Sequence, residues 1–355
     1  MKLSVCLIVK NEEEVLNRFL TCSAKFADEI IVVDTGSTDG TVEIARKFTS
    51  SVFFFEWRDD FSAARNFAFE KAKGDYVMWL DADDVITDEN CLKIKQLVSA
   101  GGFDMAYLPY AVAFDNDKPT FVYYRERIMK RSMNFRFEGA VHEAISPRGK
   151  TVHFDAPVFH KKVKSGEPLR NLSILQRKIA RGDKLDERSK FYYGRELLFN
   201  SMYVESCAVL EDFLAGDGWI ENKLEACVNL YQAYAALGKE REALGALLRS
   251  FTLAPPRSDV CCILGERAMK ANDSNSAIFW YGLALSRVPD IEGGGFVNLD
   301  YCGFIPNIQL CVLYDRLGDT EKANYYNEAA GAVKPDSAAY LHNKEYFKNK
   351  LNKEV

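Results

Sequence analysis

The residues best suited to chemistry are three carboxylates, Asp81, Asp83 and Asp84, which close the run Val77-Met-Trp-Leu-Asp-Ala-Asp-Asp-Val-Ile86. The apolar part reads as a buried strand, and acids at the edge of an apolar core need a positive partner or take up a proton. On a strand end residues i and i+2 project to the same side, so Asp81 and Asp83 address one ligand while Ala82 points away. Magnesium and manganese prefer oxygen donors, and usually take one or two protein carboxylates with water and substrate phosphate filling the other positions. The spacing therefore fits a divalent cation beside a nucleotide diphosphate. A lone Asp-x-Asp is more often a loop or a helix cap, and the strand in front of it is what favours the metal.

The elements that must position these acids alternate along the first hundred residues. Strand runs at Leu3 to Val9, Glu29 to Asp34, Val52 to Trp57 and Tyr76 to Leu80 are separated by helical patterns near 12–24, 41–48 and 62–73. Repeated strand–helix units predict a mostly parallel α/β sheet covered on both faces, with ligands bound beyond the carboxyl ends of the strands. Asp34 and Asp81 both fall at that edge. From Gly102 to His160 shorter alternating segments, including Met105 to Ala113, Thr120 to Met129 and Thr151 to Phe159, predict added antiparallel strands. Asp84 is expected to cap the helix after Val85 and Ile86.

Residues 161–190 carry ten Lys or Arg against four acids, a solvated basic helix between domains or an aid in holding an anion. Beyond them a repeat appears. Ala208, Ala243 and Ala277 recur at spacings of 35 and 34 residues, and Leu237-Gly-Lys-Glu-Arg-Glu-Ala243 parallels Leu317-Gly-Asp-Thr-Glu-Lys-Ala323. Ala277 to Ala323 spans 46 residues, which is one 34-residue unit plus an insertion around Gly293-Gly-Gly295. These are tetratricopeptide-like units, which stack into a solenoid suited to binding chains.

Four ordered segments, Leu3-Ser-Val-Cys-Leu-Ile-Val-Lys-Asn-Glu12, Ile30-Ile-Val-Val-Asp-Thr-Gly-Ser-Thr-Asp-Gly-Thr41, Asp59-Asp-Phe-Ser-Ala-Ala-Arg-Asn66 and Leu80-Asp-Ala-Asp-Asp84, together resemble glycosyltransferase family 2, enzymes of the GT-A fold. The resemblance implies that Asp34 and the backbone of Leu7 to Val9 line the pocket for the nucleotide base. It sets Asp60 and Arg65 near base and diphosphate, Asp81 at the ribose or the metal's water shell, and Asp83 on the metal itself. Turn and cap roles for Asp34, Ser62 and an Asp60–Arg65 ion pair are the structural alternatives. Phe137-Glu-Gly-Ala-Val-His-Glu143 resembles the His-Glu segment of a peptide-modifying branch, making Glu143 the expected general base ahead of Glu138. Val158-Phe-His160 resembles a segment whose histidine completes metal coordination. His153, within an alternating strand pattern, is expected to be structural, and His342 receives no role.

Composition bounds the alternatives. A chain of 355 residues with net charge -5 has no whole-protein attraction to nucleic acid or anionic membrane. No segment reaches the roughly 20 apolar residues of a membrane span. Nine cysteines without a C-x-x-C pair predict reduced thiols and a cytoplasmic protein. No Gly-Lys-Ser/Thr follows Gly36-Ser-Thr-Asp-Gly40 and no Gly-x-Gly-x-x-Gly follows the first strand, which removes the main support for kinase or dehydrogenase chemistry.

The expectation is thus a GT-A catalytic domain at 1–165, a basic helical linker at 166–190 and a tetratricopeptide-like all-α domain at 191–355. By resemblance the chain is an inverting enzyme using Mn2+ or Mg2+ and a uridine diphosphate sugar. It would modify a Ser, Thr or Cys of a peptide, and the repeats would support a homodimer. A transferase for lipid-linked or surface polysaccharide, and a non-catalytic helical scaffold, are the rivals.

Overall fold

In the computed structural model, which describes residues 1–115, 118–163, 167, 169–288, 293, 295 and 297–351, the amino-terminal alternation is realised in order. Strand β1 (Leu3–Val9), helix α1 (Glu13–Ser23), β2 (Glu29–Asp34), α2 (Thr41–Arg46), β3 (Val52–Phe54), α3 (Phe61–Lys71) and β4 (Tyr76–Trp79) come first. They are followed by β5 (Asp84–Val85), α4 (Asp88–Ala100), β6 (Met105–Asp115), β7 (Lys118–Lys130), β8 (Phe137–Glu138), β9 (Ala144–Ile145), β10 (Thr151–His153) and β11 (Val158–His160).

The strands lie in the order β3-β2-β1-β4-β7-β6-β11-β5, with β10 also on β6 and a separate β8–β9 pair. The half from β3 to β4 is parallel, β7 runs against both β4 and β6, and β10 and β11 run parallel to β6. Alternate residues of β1 serve opposite faces. Leu3, Val5, Leu7 and Val9 pack with Leu16, Phe19 and Leu20 of α1 and with Ile94 and Val98 of α4. Cys6, with Ile31, Val33 and Val77, meets Ala68 and the following Ala72 at α3. Burial on both faces explains the nearly continuous apolar runs of these strands.

Two expected strands are shorter. Val52 to Trp57 stops at Phe54, because β3 is an edge strand and Phe54 is left exposed. Thr151 to Phe159 is split into β10 and β11, which use different stretches of β6, and Pro157 between them offers no amide for a ladder.

The chain divides into two compact units, Met1–Glu240 and Arg241–Val355. The first also contains α5 (Arg170–Ala180), α6 (Glu187–Phe199), α7 (Tyr203–Ala215) and α8 (Ile220–Ala236). Despite its basic sequence, α5 is docked by an apolar stripe. Ile174 and Leu175 are buried with Ala140 and Val141 from the sheet domain, and with Trp57, Phe61, Leu185 and Tyr193.

The helices that follow are α9 (Glu240–Arg249), α10 (Ser258–Lys270), α11 (Ser274–Leu285), α12 (Phe304–Arg316), α13 (Thr320–Val333) and α14 (Ala338–Leu351). The tetratricopeptide-like periodicity corresponds to sites of close helix approach. Ala243, Ala277 and Ala323 are fully buried. Ala208 is exposed and its neighbour Cys207 is buried instead, so the repeat register is displaced by one residue in α7.

The two Leu-Gly motifs end helices in the same way. Gly238 and Gly318 have φ of 71° and 82°, and the next amides, of Lys239 and Asp319, donate back to the carbonyls of Tyr234 and Tyr314. Asn272, with φ of 57°, makes the equivalent turn after α10. Gly294, at the centre of the expected insertion, lies outside the described residues.

Candidate active site

Parallel pairing sets the first part of the site. Val9 of β1 is level with Asp34 of β2, and Cys6 with Trp79 of β4, so Asp34 and Asp81 flank the end of β1 on opposite sides. Two strand spacings, roughly 9.5 Å, separate their strands. Leu7 and Val9 are buried between them. The Asp34 carboxylate accepts hydrogen bonds from the amides of Gly36 and Ser37 at 3.1 Å each, closing a turn that requires the φ of 108° at Gly36.

Asp60 caps α3, accepting from the Ala63 amide at 2.9 Å. Arg65, one turn further on, lies inside the domain and bridges two acids. Its Nε donates to Glu143 Oε1 at 2.6 Å and its Nη2 to Asp81 Oδ1 at 2.7 Å, so Arg65 pairs with Asp81 and Glu143 and not with Asp60, the structural alternative. Burial opposes ionisation of Asp81, but Arg65 and Arg127 outweigh it and hold its pKa down at about 2.

The second part comes from an antiparallel rung. β11 pairs with β5 so that His160 stands opposite Asp84, and the Lys161 amide donates to the Asp83 carbonyl at 3.1 Å. His160 Nδ1 lies 3.3 Å from Asp83 Oδ1 and 3.4 Å from Asp84 Oδ1. One ligand atom from each of Asp83, Asp84 and His160 falls within 4.8 Å of the others. Burial works against a charged His160, yet Asp83 and Asp84 outweigh it and raise its pKa to about 10.

Asp84 does not cap α4. Thr87 does, accepting from the Asn90 amide. Asp84 instead is almost fully buried, accepting from the Asp81 amide at 3.0 Å and from the Tyr110 hydroxyl at 3.1 Å. A carboxylate that far inside needs positive charge, which Arg127 Nη2 provides at 3.4 Å.

The hairpin β6–β7 contributes residues that the sequence reading passed over: Tyr110, Arg125, Glu126 and Arg127. Arg127 is fully buried, and its guanidinium lies over Trp79 at 3.9 Å and Tyr110 at 4.2 Å. Arg65 and Arg125 approach the same indole at 4.6 and 5.0 Å. Arg125 also donates to the Glu143 carbonyl and pairs with Glu126. The visible signal was Arg125-Glu126-Arg127 inside an otherwise apolar strand pattern, charge where a buried strand should carry none.

Asp81, Asp83, Asp84, Glu126 and Glu143 thus face Arg65, Arg125 and Arg127, leaving two negative charges in excess before His160 is considered. His160, charged at neutral pH, reduces that excess to one; a cation would displace its proton, and carboxylate oxygens with one imidazole nitrogen are donors that fit Mn2+ or Mg2+.

Glu143 is also held from the helical side. The preceding His142 adopts a left-handed φ of 51°, stacks on Tyr192 of α6 at 4.1 Å, and its Nε2 lies 2.8 Å from Glu196 Oε1. Arg188 Nε donates to the His142 carbonyl. Glu138, the alternative base, is exposed on β8. His153 stacks on Tyr107.

A parallel half-sheet with acids at its carboxyl edge, joined to antiparallel strands that return a histidine to those acids, is a GT-A fold, here followed by tetratricopeptide-like helices. Residues 4–156 match the family model for glycosyl transferase family 2. A TPR repeat-containing protein of Synechococcus elongatus is 33% identical over 150 residues, covering 41% of this chain and 35% of the relative. The SPbeta prophage-derived glycosyltransferase SunS of Bacillus subtilis is 28% identical over 206 residues, covering 54% and 48%. The chain therefore spans about a third to a half of the length of these curated relatives. Among solved structures, S. aureus TarS 1-349 in complex with UDP-GlcNAc aligns over 95% of this chain and 93% of its own, at 14% identity and a TM-score of 0.40.

Proposed function

We propose that the chain is an inverting, metal-dependent glycosyltransferase that moves a sugar from a nucleotide-diphosphate sugar, with uridine diphosphate as carrier, to a Ser, Thr or Cys side chain of a peptide or protein. The observation that carries this reading is the convergence of Asp83, Asp84 and His160 at the strand ends of a family 2 domain. Mn2+ or Mg2+ held by these three side chains would act as a Lewis acid for charge developing on the departing diphosphate.

In this reading Asp34, with the backbone of Leu7 and Val9, receives the base, and Asp81 faces the ribose. Asp60 fixes the start of α3 and so the reach of Arg65. Arg65 orients Asp81 and Glu143 together. Glu143 takes the proton of the acceptor as it attacks the anomeric carbon, and its ion pair with Arg65 sets where that oxygen points. The tetratricopeptide-like helices suit an extended polypeptide, which favours a peptide acceptor over a polysaccharide. The same surface is the proposed route to a homodimer.

The test is a panel of nucleotide sugars assayed for slow hydrolysis with and without Mn2+. At least one donor is cleaved, cleavage needs the cation, and Asp83→Ala loses at least about 100-fold, since metal stabilisation of a leaving group is worth several kcal/mol. Calorimetry with Mn2+ alone shows binding to the wild type and its loss in the variant. Equal turnover by both proteins removes the metal from the mechanism, and no cleavage or cation binding leaves the helical scaffold. Mass spectrometry of peptide and polysaccharide acceptors then decides between those two classes.

A further inference from the structure

Two of the nine cysteines, far apart in sequence, meet in the structure. Cys22, in the last turn of α1, and Cys91, in the first turn of α4, have their sulfurs 3.6 Å apart. Cys91 is buried, whereas Cys22 keeps a partly exposed edge, so a small reagent has access to one sulfur and not to the other. Cys22 Sγ also lies 3.1 Å from the carbonyl oxygen of Ile86, two residues after Asp84.

We propose that Cys22 and Cys91 form a dithiol modification site that closes to an intramolecular disulfide on exchange with a low-molecular-weight disulfide of the glutathione class. The Cys22 thiolate attacks one sulfur of the reagent, forming a mixed disulfide and releasing one thiolate. The Cys91 sulfur, after losing its proton to solvent, then attacks Cys22, closing the bond and releasing the second thiolate. One reagent disulfide is reduced to two thiols, and two protein thiols are oxidised to one disulfide.

The order of attack follows from the environments. The contact with the Cys91 sulfur, then the Ile86 carbonyl contact and Lys25, outweigh burial and the Asp88 charge and bring the Cys22 pKa down to about 7. The same contact, with burial, pushes Cys91 up. A thiol near neutrality attacks readily, and a buried one serves as the resolving partner. Closure requires the sulfurs to approach by about 1.5 Å, to the roughly 2.05 Å of a disulfide. Thiol rotation and a small shift of α1 against α4 can supply that movement.

Cys6 is sealed in the core, and burial raises the pKa of Cys207, Cys261, Cys262, Cys302 and Cys311. The site stands independently of the transferase reading, because it needs neither donor nor metal.

The test is to incubate the full chain with glutathione disulfide at mildly alkaline pH, quench with acid, alkylate, digest and map by mass spectrometry. The expected product is the peptide pair carrying Cys22 and Cys91, joined with loss of two hydrogens and separated again by dithiothreitol. Cys91→Ser, which blocks resolution, accumulates a stable glutathione adduct on Cys22, and Cys22→Ser leaves Cys91 unmodified. A persistent Cys22 adduct in the wild type, linkage of a different pair, or no reaction at Cys22 each overturns the proposal. The wild-type map needs no variant, so a variant that fails to fold does not weaken the result.

Discussion

At the scale of single residues, Arg65 and Arg127 keep Asp81 ionised, and stability follows pH accordingly. Asp81 has a folded pKa of about 2 against an ordinary 3.8. A depressed carboxylate favours the folded state fully above its unfolded value and loses that contribution as pH falls through the folded one. Acid unfolding between about pH 4 and 2 should therefore be shallower in Asp81→Asn than in the wild type, with the variant less stable at neutral pH; circular dichroism across an acid titration reads both. Identical acid limbs would show that Arg65 and Arg127 do not hold Asp81 as described. Asp34, Asp81 and Asp83 stood out through their type and the strand before them, whereas Glu143 and His160 were expected only from the family resemblance of their segments. Arg127 could not. Its place is fixed by Asp84, Trp79 and Tyr110 across the sheet, and no local pattern tells a buried arginine in a strand from an exposed one.

At the scale of elements, α6 acts on the loop that carries Glu143. Tyr192, Arg188 and Glu196 all touch His142, the neighbour of Glu143. Glu196→Ala removes the acceptor for the imidazole and frees the loop. If Glu143 is the base, kcat should fall roughly tenfold with the donor KM nearly unchanged, as expected for a misplaced group rather than lost binding. A rise in KM alone would assign α6 to substrate affinity. The parallel strands were readable because each carries a continuous apolar run bounded by turn residues. β5 and β11 were not fully readable, since a two-residue strand has no period and its partner lies far along the chain. The helix pairs were visible through small residues and Leu-Gly ends, and Ala208 misled because one alanine on a helix does not say which face is buried.

At the scale of the whole molecule, the boundary expected at residue 165 can be set against packing within the first compact unit. Ile174 and Leu175 cover Ala140 and Val141, and Trp57 and Phe61 lie beside them. A fragment of residues 1–165 would expose that apolar surface and lose the α6 contacts to His142. It should unfold at markedly lower denaturant than a fragment of residues 1–240, by at least the 2–5 kcal/mol typical of one large buried aliphatic side chain. Equal midpoints would support 165 as a true domain end. No helix among the described residues is long and apolar enough to cross a membrane. The rung that joins His160 to Asp84 has a further consequence. Its partners are 76 positions apart, so the acids and the imidazole meet only after the intervening hairpin has found its place. A nascent or partly unfolded chain would hold the acids without the histidine, and on the proposed reading cation affinity would mature late, as a mark of completed folding of the sheet.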